Sequence, residues 1–292
     1  MFFLIQFFTY FLIVLSVDPP YGKLSVSGKG QLLGNNGQVV QLRGLSLFFS
    51  QWNTGFFDAG VVRAIKCFYN GNIVRAPIGT VDGGYMDNPD KALKAAYTVI
   101  DAAISNGIYV LVDWHDSSTW SCNKTSDVQR FTNKAKEFFT IIAKKYKGVS
   151  NVLLEFWNEP ACEWNIVKKY HTQILKTVRE IDQDVIVILG SNDIAKNIFD
   201  PNMEKQMFIL LQHQLIMMQC INCGWDLMNQ HKLSYMKWTF ANFTDPKTPN
   251  LGLSLMLNTC NAKQVYQESC LSGSAKFLRT HMWQFNNGLK GC

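Results

Sequence analysis

The sequence has few charged residues and no block of like charges. Only 17% of its 292 residues are charged, and 28 basic against 22 acidic residues give a scattered net charge of +6. Without a basic cluster, a nucleic acid or an anionic membrane surface is a poor candidate partner, and a neutral substrate suits the chain at least as well. A hydrophobic content of 47% excludes a disordered protein. The length fits either one large α/β barrel or two ordinary domains.

Long apolar runs are absent except at the amino terminus. Residues 2–17 are almost wholly apolar, but the run stops at Asp18-Pro19-Pro20, short of the roughly 20 residues that a membrane-spanning helix needs. We therefore predict a secretory signal peptide over residues 1–17. The mature chain, residues 18–292, is then expected to be secreted, extracellular, monomeric and free of membrane contact. The alternative for the apolar run is a membrane anchor.

Cysteine is scarce, and metal-binding and nucleotide-binding motifs are missing. Eight cysteines in 292 residues are too few for a small disulfide-stapled scaffold, although secretion would permit pairing in a connectivity that the sequence leaves open. Cys220 and Cys223 are followed by neither a second CxxC nor a histidine pair, so no zinc site is predicted. Neither a G-x-G-x-x-G loop nor a P-loop occurs, which removes the main support for a nucleotide-binding fold.

Beyond residue 20, short β-rich runs alternate with longer helical patterns. A turn-rich spacer at residues 34–37 predicts a hairpin between residues 24–26 and 38–40. Strands are predicted over residues 41–47, 72–77, 109–114, 152–156, 185–189 and 234–239, and helices over residues 58–69, 90–105, 128–146 and 167–181. This alternation indicates parallel strands joined by helical crossovers, which leaves a doubly wound sheet or a (β/α)8 barrel.

Polar and aromatic residues stand at the carboxyl ends of the predicted strands, where both architectures carry their chemistry. They are Arg75, Asp113-Trp114-His115, Asn158-Glu159 and Trp238. Because the phosphate-binding loop of a doubly wound nucleotide-binding fold is missing, we predict an α/β fold of the (β/α)8 TIM-barrel type with an amino-terminal β-hairpin.

Glu159 is the strongest candidate for a catalytic group. It directly follows a buried strand and the aromatic residues Phe156 and Trp157, whose apolar surface would raise its pKa and keep a proton available for a leaving-group oxygen. The amide of Asn158 could hold a sugar hydroxyl through a bond that strengthens in the transition state. The alternative is that Asn158-Glu159-Pro160 simply caps the next helix.

Each of the other candidates also has a purely structural alternative. Arg75 either orients a carboxylate or forms a structural salt bridge, and His115 either fixes a carboxyl group or is a buried core histidine. Several tryptophans suit stacking against sugar faces, although any single one could equally lie in the core. They are Trp52, Trp114, Trp120, Trp164 and Trp238.

Residues 155–160, Glu-Phe-Trp-Asn-Glu-Pro, resemble the Asn-Glu-Pro signature of glycoside hydrolase family 5. Other segments that agree with that family in order and spacing are residues 21–26, 41–46, 51–52, 74–76, 113–115 and 234–239, with 271–282 at the end. The chain resembles in particular the secreted endo-β-1,4-glucanases, or cellulases, of the bacterial type also found in plant-parasitic nematodes. This resemblance implies retaining hydrolysis of a β-1,4-glucan polysaccharide, without a metal or an organic cofactor.

The resemblance also assigns roles to single residues. Glu159 would be the proton donor, and Asn158 its partner at a substrate hydroxyl. Arg75 and His115 would support these groups. Trp52 and Trp238 would be platforms for sugar rings.

One part of the family pattern is missing. Retaining hydrolysis needs a second carboxylate about 5 Å from the first. The family carries it in a Thr-Glu-Trp-Gly-like motif on the seventh strand, after a His-Phe-Tyr-like motif on the sixth, and neither motif is present. Between residues 189 and 234 lie only 44 residues (190–233), although two strands and their helices should take nearly twice as many. The barrel is therefore predicted to be incomplete around the sixth and seventh strands of the family's eight-stranded barrel.

The short segment offers no clear nucleophile. Its acidic residues are Asp193, Asp200, Glu204 and Asp226, and none of them stands in a recognisable motif. His213 is the only remnant to consider for the sixth-strand motif. The nucleophile is therefore left unassigned. Three interpretations stay open: an active glucanase with an unrecognised nucleophile, a glucan-binding relative that has lost hydrolysis, and a defective gene product whose barrel cannot close.

Overall fold

The computed structural model of the chain describes residues 17–116, 122, 124–190, 228–242 and 254–292. The strands of these residues are β1 (Ser25–Val26), β2 (Leu32–Leu33), β3 (Arg43–Leu47), β4 (Ile73–Gly79), β5 (Tyr109–His115), β6 (Val152–Glu155), β7 (Ile186–Ile188) and β8 (Tyr235–Phe240). The α-helices are α1 (Ala59–Cys67), α2 (Pro89–Asn106), α3 (Thr125–Lys145), α4 (Trp164–Arg179) and α5 (Gly273–Met282). The predicted strands of the central sheet and the four predicted helices are confirmed, with ends that differ by at most three residues.

The central sheet has six parallel strands in the order β7-β6-β5-β4-β3-β8. Strands that follow one another in the chain are neighbours from β3 to β7, and β8 returns to lie beside β3. A pairing of the first and last strands is what closes a β/α barrel. Residues 191–227, in the connection from β7 to β8, lie outside the described residues. They include all the acidic residues considered as nucleophile and His213.

The amino-terminal hairpin differs from the predicted one. β1 pairs with β2 in antiparallel register, and the chain turns where the Gly30 amide donates to the Ser27 carbonyl at 2.9 Å. The predicted turn at residues 34–37 exists, but it brings Val39 back to Leu33 in a single bridge. The second strand is therefore residues 32–33 instead of 38–40. The prediction overlooked the earlier turn, where Gly30 takes a φ of +77° that glycine adopts without strain.

The parallel strands β3, β4, β5 and β6 are buried on both faces, whereas β7 and β8 at the edges of the sheet are partly buried. Val74, Val110, Val112 and Leu154 belong to the core between the sheet and the helices. The alternate side chains form a second cluster inside the barrel, where Leu24 and Leu32 of the hairpin close the amino-terminal end. The barrel members of that cluster include Leu42, Ile73, Tyr109, Leu111, Leu153 and Ile188.

Helix α3 shows how the outer core is built. Its apolar positions recur every three or four residues, and the side chains on that face are buried as predicted. They are Phe131, Ala135, Phe138, Phe139 and Ile142. At one point the strands need a residue without a side chain: a Cβ on Gly44 would lie 1.8 Å from the Ile73 carbonyl oxygen.

Three disulfides lie within the described residues: Cys67–Cys292, Cys122–Cys162 and Cys260–Cys270. The second joins the residues after β5 to the residues after β6. Of the helices in the described part of the chain, none has the length and apolar character to span a membrane.

Candidate active site

A layer of charged side chains lies inside the barrel, two residues further along the strands than the apolar cluster. Side chains of a strand alternate between the two faces. Ile73, Leu111 and Leu153 point inward, so the residues two positions further on are also inward. The register pairs Asp113 of β5 with Glu155 of β6, and Ser46 of β3 with Arg75 of β4. The strands thus bring one arginine and two carboxylates to their carboxyl ends.

Arg75 is the centre of this layer. Its side chain is 4% exposed and holds both oxygens of Glu155, with Nε 2.8 Å from Oε2 and Nη2 3.0 Å from Oε1. Nη2 also lies 2.9 Å from Asp113 Oδ2 and donates to Asn158 Oδ1 at 2.9 Å. Nη1 reaches the Ser46 hydroxyl at 3.4 Å. Arg75 therefore links three neighbouring strands to the loop that carries Glu159.

His115 joins the same network through Asp113. Its Nδ1 lies 2.5 Å from Asp113 Oδ2. The imidazole is stacked on the indole of Trp238, with 5.2 Å between ring centroids and 6° between planes. The ring of Phe49 meets His115 edge-on at 4.3 Å. Three contacts of different kinds therefore fix the orientation of the imidazole.

The segment Asn158-Glu159 lies in the loop after β6, not at the start of a helix. The backbone N–H of Asn158 donates to the Trp114 carbonyl at 3.0 Å, which fixes the loop against β5. Helix α4 begins only at Trp164, with Glu163 as its N-cap, so the helix-capping alternative for Asn158-Glu159 is wrong. Glu159 has a φ of +41°, a conformation that costs a non-glycine residue of order 1–3 kcal/mol and that concentrates at functional sites.

Burial sets the protonation of the acidic groups. Burial raises the pKa of Asp113 to about 7, although the nearby Arg75 cation opposes the shift. Burial likewise raises the pKa of Glu155, again against the effect of Arg75. The half-buried Glu159 has its pKa raised by burial and, in smaller measure, by the charges of Asp113 and Glu155, while Arg75 lowers it. A carboxyl group in such surroundings keeps its proton to higher pH than a free glutamic acid.

The pKa values of the two basic groups of the layer, His115 and Arg75, are shifted in opposite directions. Burial lowers the pKa of His115 well below its ordinary value, so the imidazole is neutral. For Arg75, burial alone would lower the pKa, but the carboxylates of Asp113 and Glu155 more than compensate and raise it. The guanidinium is therefore the permanent positive charge of the site.

An aromatic wall stands beside this layer. It consists of Phe48, Phe49, Trp52 and Trp238. Phe49 lies 4.6 Å from Trp52 and 5.8 Å from Trp238 between ring centroids. Trp52 is 52% exposed. Flat apolar rings with one exposed member suit the apolar face of a sugar.

The structure brings most of the predicted site residues together. Arg75, Asn158 and His115 share one network, Trp238 stacks on it, and Glu159 follows Asn158 directly in the chain. Trp52 lies at the exposed edge of the aromatic wall. Of the other tryptophans considered, Trp114 is buried in the outer core, so it cannot stack on a sugar. Trp164 is half-buried against the same core, and Trp120 lies outside the described residues.

Sequence reasoning missed Glu155 and the role of Asp113. The signal was present, because the strand Val152–Glu155 places its last side chain on the same face as Leu153, inside the barrel. Phe48 and Phe49 were also missed, and no motif in the residues themselves marks them. Within the described ranges, no three His, Cys, Asp or Glu side chains are grouped as a metal site would require.

Comparisons with known proteins agree with this geometry. Residues 33–217 match the family model described as cellulase (glycosyl hydrolase family 5). The match covers more than half of the chain, which therefore belongs to glycosyl hydrolase family 5.

A curated relative is similar to much of the chain and is longer than it. The chain is 32% identical to an endoglucanase of Clostridium saccharobutylicum over 180 aligned residues. This alignment covers 61% of this chain and 39% of that protein. It thus spans about two fifths of the length of this curated relative.

Solved structures show the same fold. A structure from Cytophaga hutchinsonii superposes with a TM-score of 0.73 at 25% identity, over 92% of this chain and 96% of the other. The catalytic domain of a Thermobifida fusca endoglucanase, solved as a variant with cellotetraose, gives a TM-score of 0.73 at 22% identity, over 91% and 99%. The chain has the (β/α)8 type of fold of this family. Its described residues form six parallel strands in which the edge strands β7 and β8 do not pair with each other, so the predicted incomplete barrel is confirmed.

Proposed function

We propose that this chain is a secreted β-1,4-glucan hydrolase of the retaining endoglucanase type. One observation carries the proposal: Arg75 holds Asn158 at the carboxyl end of β6, next to a half-buried Glu159. The name of the Clostridium relative and the cellotetraose in the Thermobifida structure support a β-glucan as the substrate.

Glu159 is the proton donor in this proposal. Its raised pKa keeps the carboxyl group protonated to a higher pH than a free glutamic acid, so that it can protonate the glycosidic oxygen as the sugar leaves. Asn158 accepts from Arg75 through Oδ1, and its Nδ2 is therefore directed away from the guanidinium. An amide donor beside the acid can bind a sugar hydroxyl, and Trp52 and Trp238 support the sugar rings.

The nucleophile has to come from elsewhere in the chain. Asp113 and Glu155 are described carboxylates whose charges act on Glu159, and both bind Arg75. The remaining acidic residues of the short segment, Asp193, Asp200, Glu204 and Asp226, are the candidates in the sequence. The engagement of both inner carboxylates favours a second function, that of a glucan-binding protein without hydrolysis.

Secretion is a further part of the proposal. The apolar residues 2–17 support it, and so do the three disulfides, which persist in oxidising compartments. Expression of the full chain in a secreting host, followed by sequencing of the amino terminus of the exported protein, tests it. Retention of the uncleaved chain in the membrane would instead support an anchor.

Hydrolysis is tested with the full chain on a soluble β-1,4-glucan. Wild type, Glu159→Gln and Glu163→Gln are compared by release of reducing ends. Glu163 is exposed and its side chain makes no capping bond, so it is a matched control in the same loop. We expect Glu159→Gln to lower kcat by about 10²–10⁴-fold and Glu163→Gln to leave it unchanged.

A different outcome selects the second function. If wild type and Glu159→Gln both show only background hydrolysis, the chain is no glucan hydrolase. Binding of cellotetraose by calorimetry would then support the glucan-binding function. Absence of both hydrolysis and binding in a folded chain would reject both functions.

A further inference from the structure

The side chain of Asp113 has an unusual division of contacts. It is fully buried, and its Oδ2 faces two donors, Arg75 Nη2 at 2.9 Å and His115 Nδ1 at 2.5 Å. Its Oδ1 has no hydrogen-bond partner among the described residues. One oxygen atom therefore makes all the contacts of this group that the structure describes.

This division decides which imidazole nitrogen carries the proton. Arg75 can only donate, so Oδ2 accepts from the guanidinium. An ionised carboxylate has no proton to give, so the neutral His115 must donate to Oδ2 from Nδ1. If Asp113 takes up a proton at Oδ1, the oxygen without a partner among the described residues, Oδ2 remains the acceptor of both bonds.

We propose that Asp113 is a positioning residue that holds His115 in the Nδ1-protonated tautomer, with Nε2 as a hydrogen-bond acceptor turned away from the Arg75 network. The stacking on Trp238 and the edge contact with Phe49 fix the plane of the ring, and the bond to Asp113 fixes which edge of the ring faces the network. Asp113 also holds Arg75, which in turn holds Asn158. It thereby orients two groups of the proposed glucan site without touching the substrate.

The value of such a group lies in orientation. Asp113 binds one imidazole and one guanidinium through a single atom, so the two cannot shift independently. A displacement of about 1 Å in a site of this kind can reduce the rate by roughly 100-fold. This consequence for the rate rests on the proposed hydrolysis, whereas the tautomer does not.

The test reads the tautomer directly by two-bond ¹H–¹⁵N correlation NMR of the labelled full chain. The signals of His115 are assigned from a His115→Gln variant. Wild type is compared with Asp113→Ala, Asp113→Asn and Glu155→Gln. Asparagine keeps an acceptor oxygen and serves as the conservative variant. Glu155 contacts Arg75 and serves as the control within the same network.

We expect wild type, Asp113→Asn and Glu155→Gln to carry the proton on Nδ1. In Asp113→Ala the acceptor is gone, so Nε2–H, the form that free histidine prefers, should become the major tautomer. In an active enzyme, Asp113→Ala should lower kcat about 10- to 100-fold with less than about a threefold change in KM.

Two results would overturn the inference. The first is a wild-type His115 with its proton on Nε2, which can be seen even if Asp113→Ala does not fold. The second is an unchanged tautomer in a folded Asp113→Ala variant. Because neither measurement needs turnover, a chain without hydrolysis would reject the proposed function and leave this test intact.

Discussion

Glu155 binds Arg75 through both of its carboxylate oxygens, in a pair of which neither side chain is more than 4% exposed. Both the guanidinium and the carboxylate are buried away from water, so each needs an opposite charge beside it. Such a pair contributes little net stability when intact, but the loss of Glu155 is costly, because among the described residues the buried guanidinium then keeps only its single contact with Asp113 as an ion pair.

Glu155→Ala should therefore lower the free energy of unfolding by about 3–5 kcal/mol. The matched control is Asp184→Ala, which breaks the Lys23–Asp184 pair whose side chains are 56% and 67% exposed. That control should lose less than about 1 kcal/mol. Urea unfolding followed by fluorescence measures both. Similar losses in the two variants would contradict the burial argument.

A second prediction concerns the pH dependence of stability. Burial raises the pKa of Asp113 to about 7, well above the value of about 3.9 in an unfolded chain. Between these values the folded state binds the extra proton, so the contribution of Asp113 to stability is greatest at about pH 4. It is then lost as the pH rises to about 7, at up to about 1.4 kcal/mol per pH unit.

The Asp113→Asn variant lacks this titration and isolates it. The difference in unfolding free energy between wild type and Asp113→Asn should fall steadily from about pH 4 to about pH 7 and stay constant above. Urea titrations at a series of pH values measure the difference. A difference that is flat across this range would show that the pKa of Asp113 is not raised.

A third prediction links Glu155 to the proposed proton donor. The negative charge of Glu155 is one of the causes that raise the pKa of Glu159. Glu155→Gln removes that charge, so the pKa of Glu159 should decrease. A ¹³C titration of the Glu159 carboxyl carbon, assigned with Glu159→Gln, measures the shift without turnover. Glu268→Gln, a change in an exposed carboxylate that pairs with Arg279, is the control and should leave the value unchanged.

A fourth prediction concerns the exposed edge of the aromatic wall. Trp52→Ala should weaken the binding of cellotetraose by about 0.5–1.5 kcal/mol, because a sugar face would lose its apolar platform. Trp283 is a matched control, since it is 55% exposed and its indole nitrogen donates to the Phe68 carbonyl, away from the aromatic wall. Trp283→Ala should leave the affinity unchanged. Isothermal calorimetry distinguishes the two, and equal losses would reject Trp52 as a platform.

The order of elements could be predicted from the sequence because the hydrophobic pattern of each strand and helix is local. The predicted strand over residues 185–189 is an unbroken apolar run, and α3 has an apolar residue every three or four positions, so both patterns can be recognised without knowledge of distant residues. Arg75, His115 and Asn158 were selected because they lie towards or just after the carboxyl ends of predicted strands. Their gathering follows from parallel strands, whose carboxyl ends all lie at one edge of the sheet.

The remaining features depend on tertiary relationships. Trp114 and His115 are adjacent in sequence, yet one belongs to the outer core and the other to the site, because neighbouring strand residues face opposite ways. Glu155 lies in the predicted strand over residues 152–156 and was given no role there, although its position two residues after Leu153 predicts an inward side chain. For the first hairpin, two turn signals competed, and local sequence alone does not decide between them.

The Cys67–Cys292 disulfide has a practical consequence for handling the protein. Cys67 ends α1, and in a β/α unit the end of the helix lies at the amino-terminal side of the strands, opposite the charged layer around Arg75. The disulfide therefore fixes Cys292 on the far side of the sheet from that layer. A surface attachment at Cys292 would leave the side that carries Arg75 and Trp238 accessible to soluble or insoluble ligands.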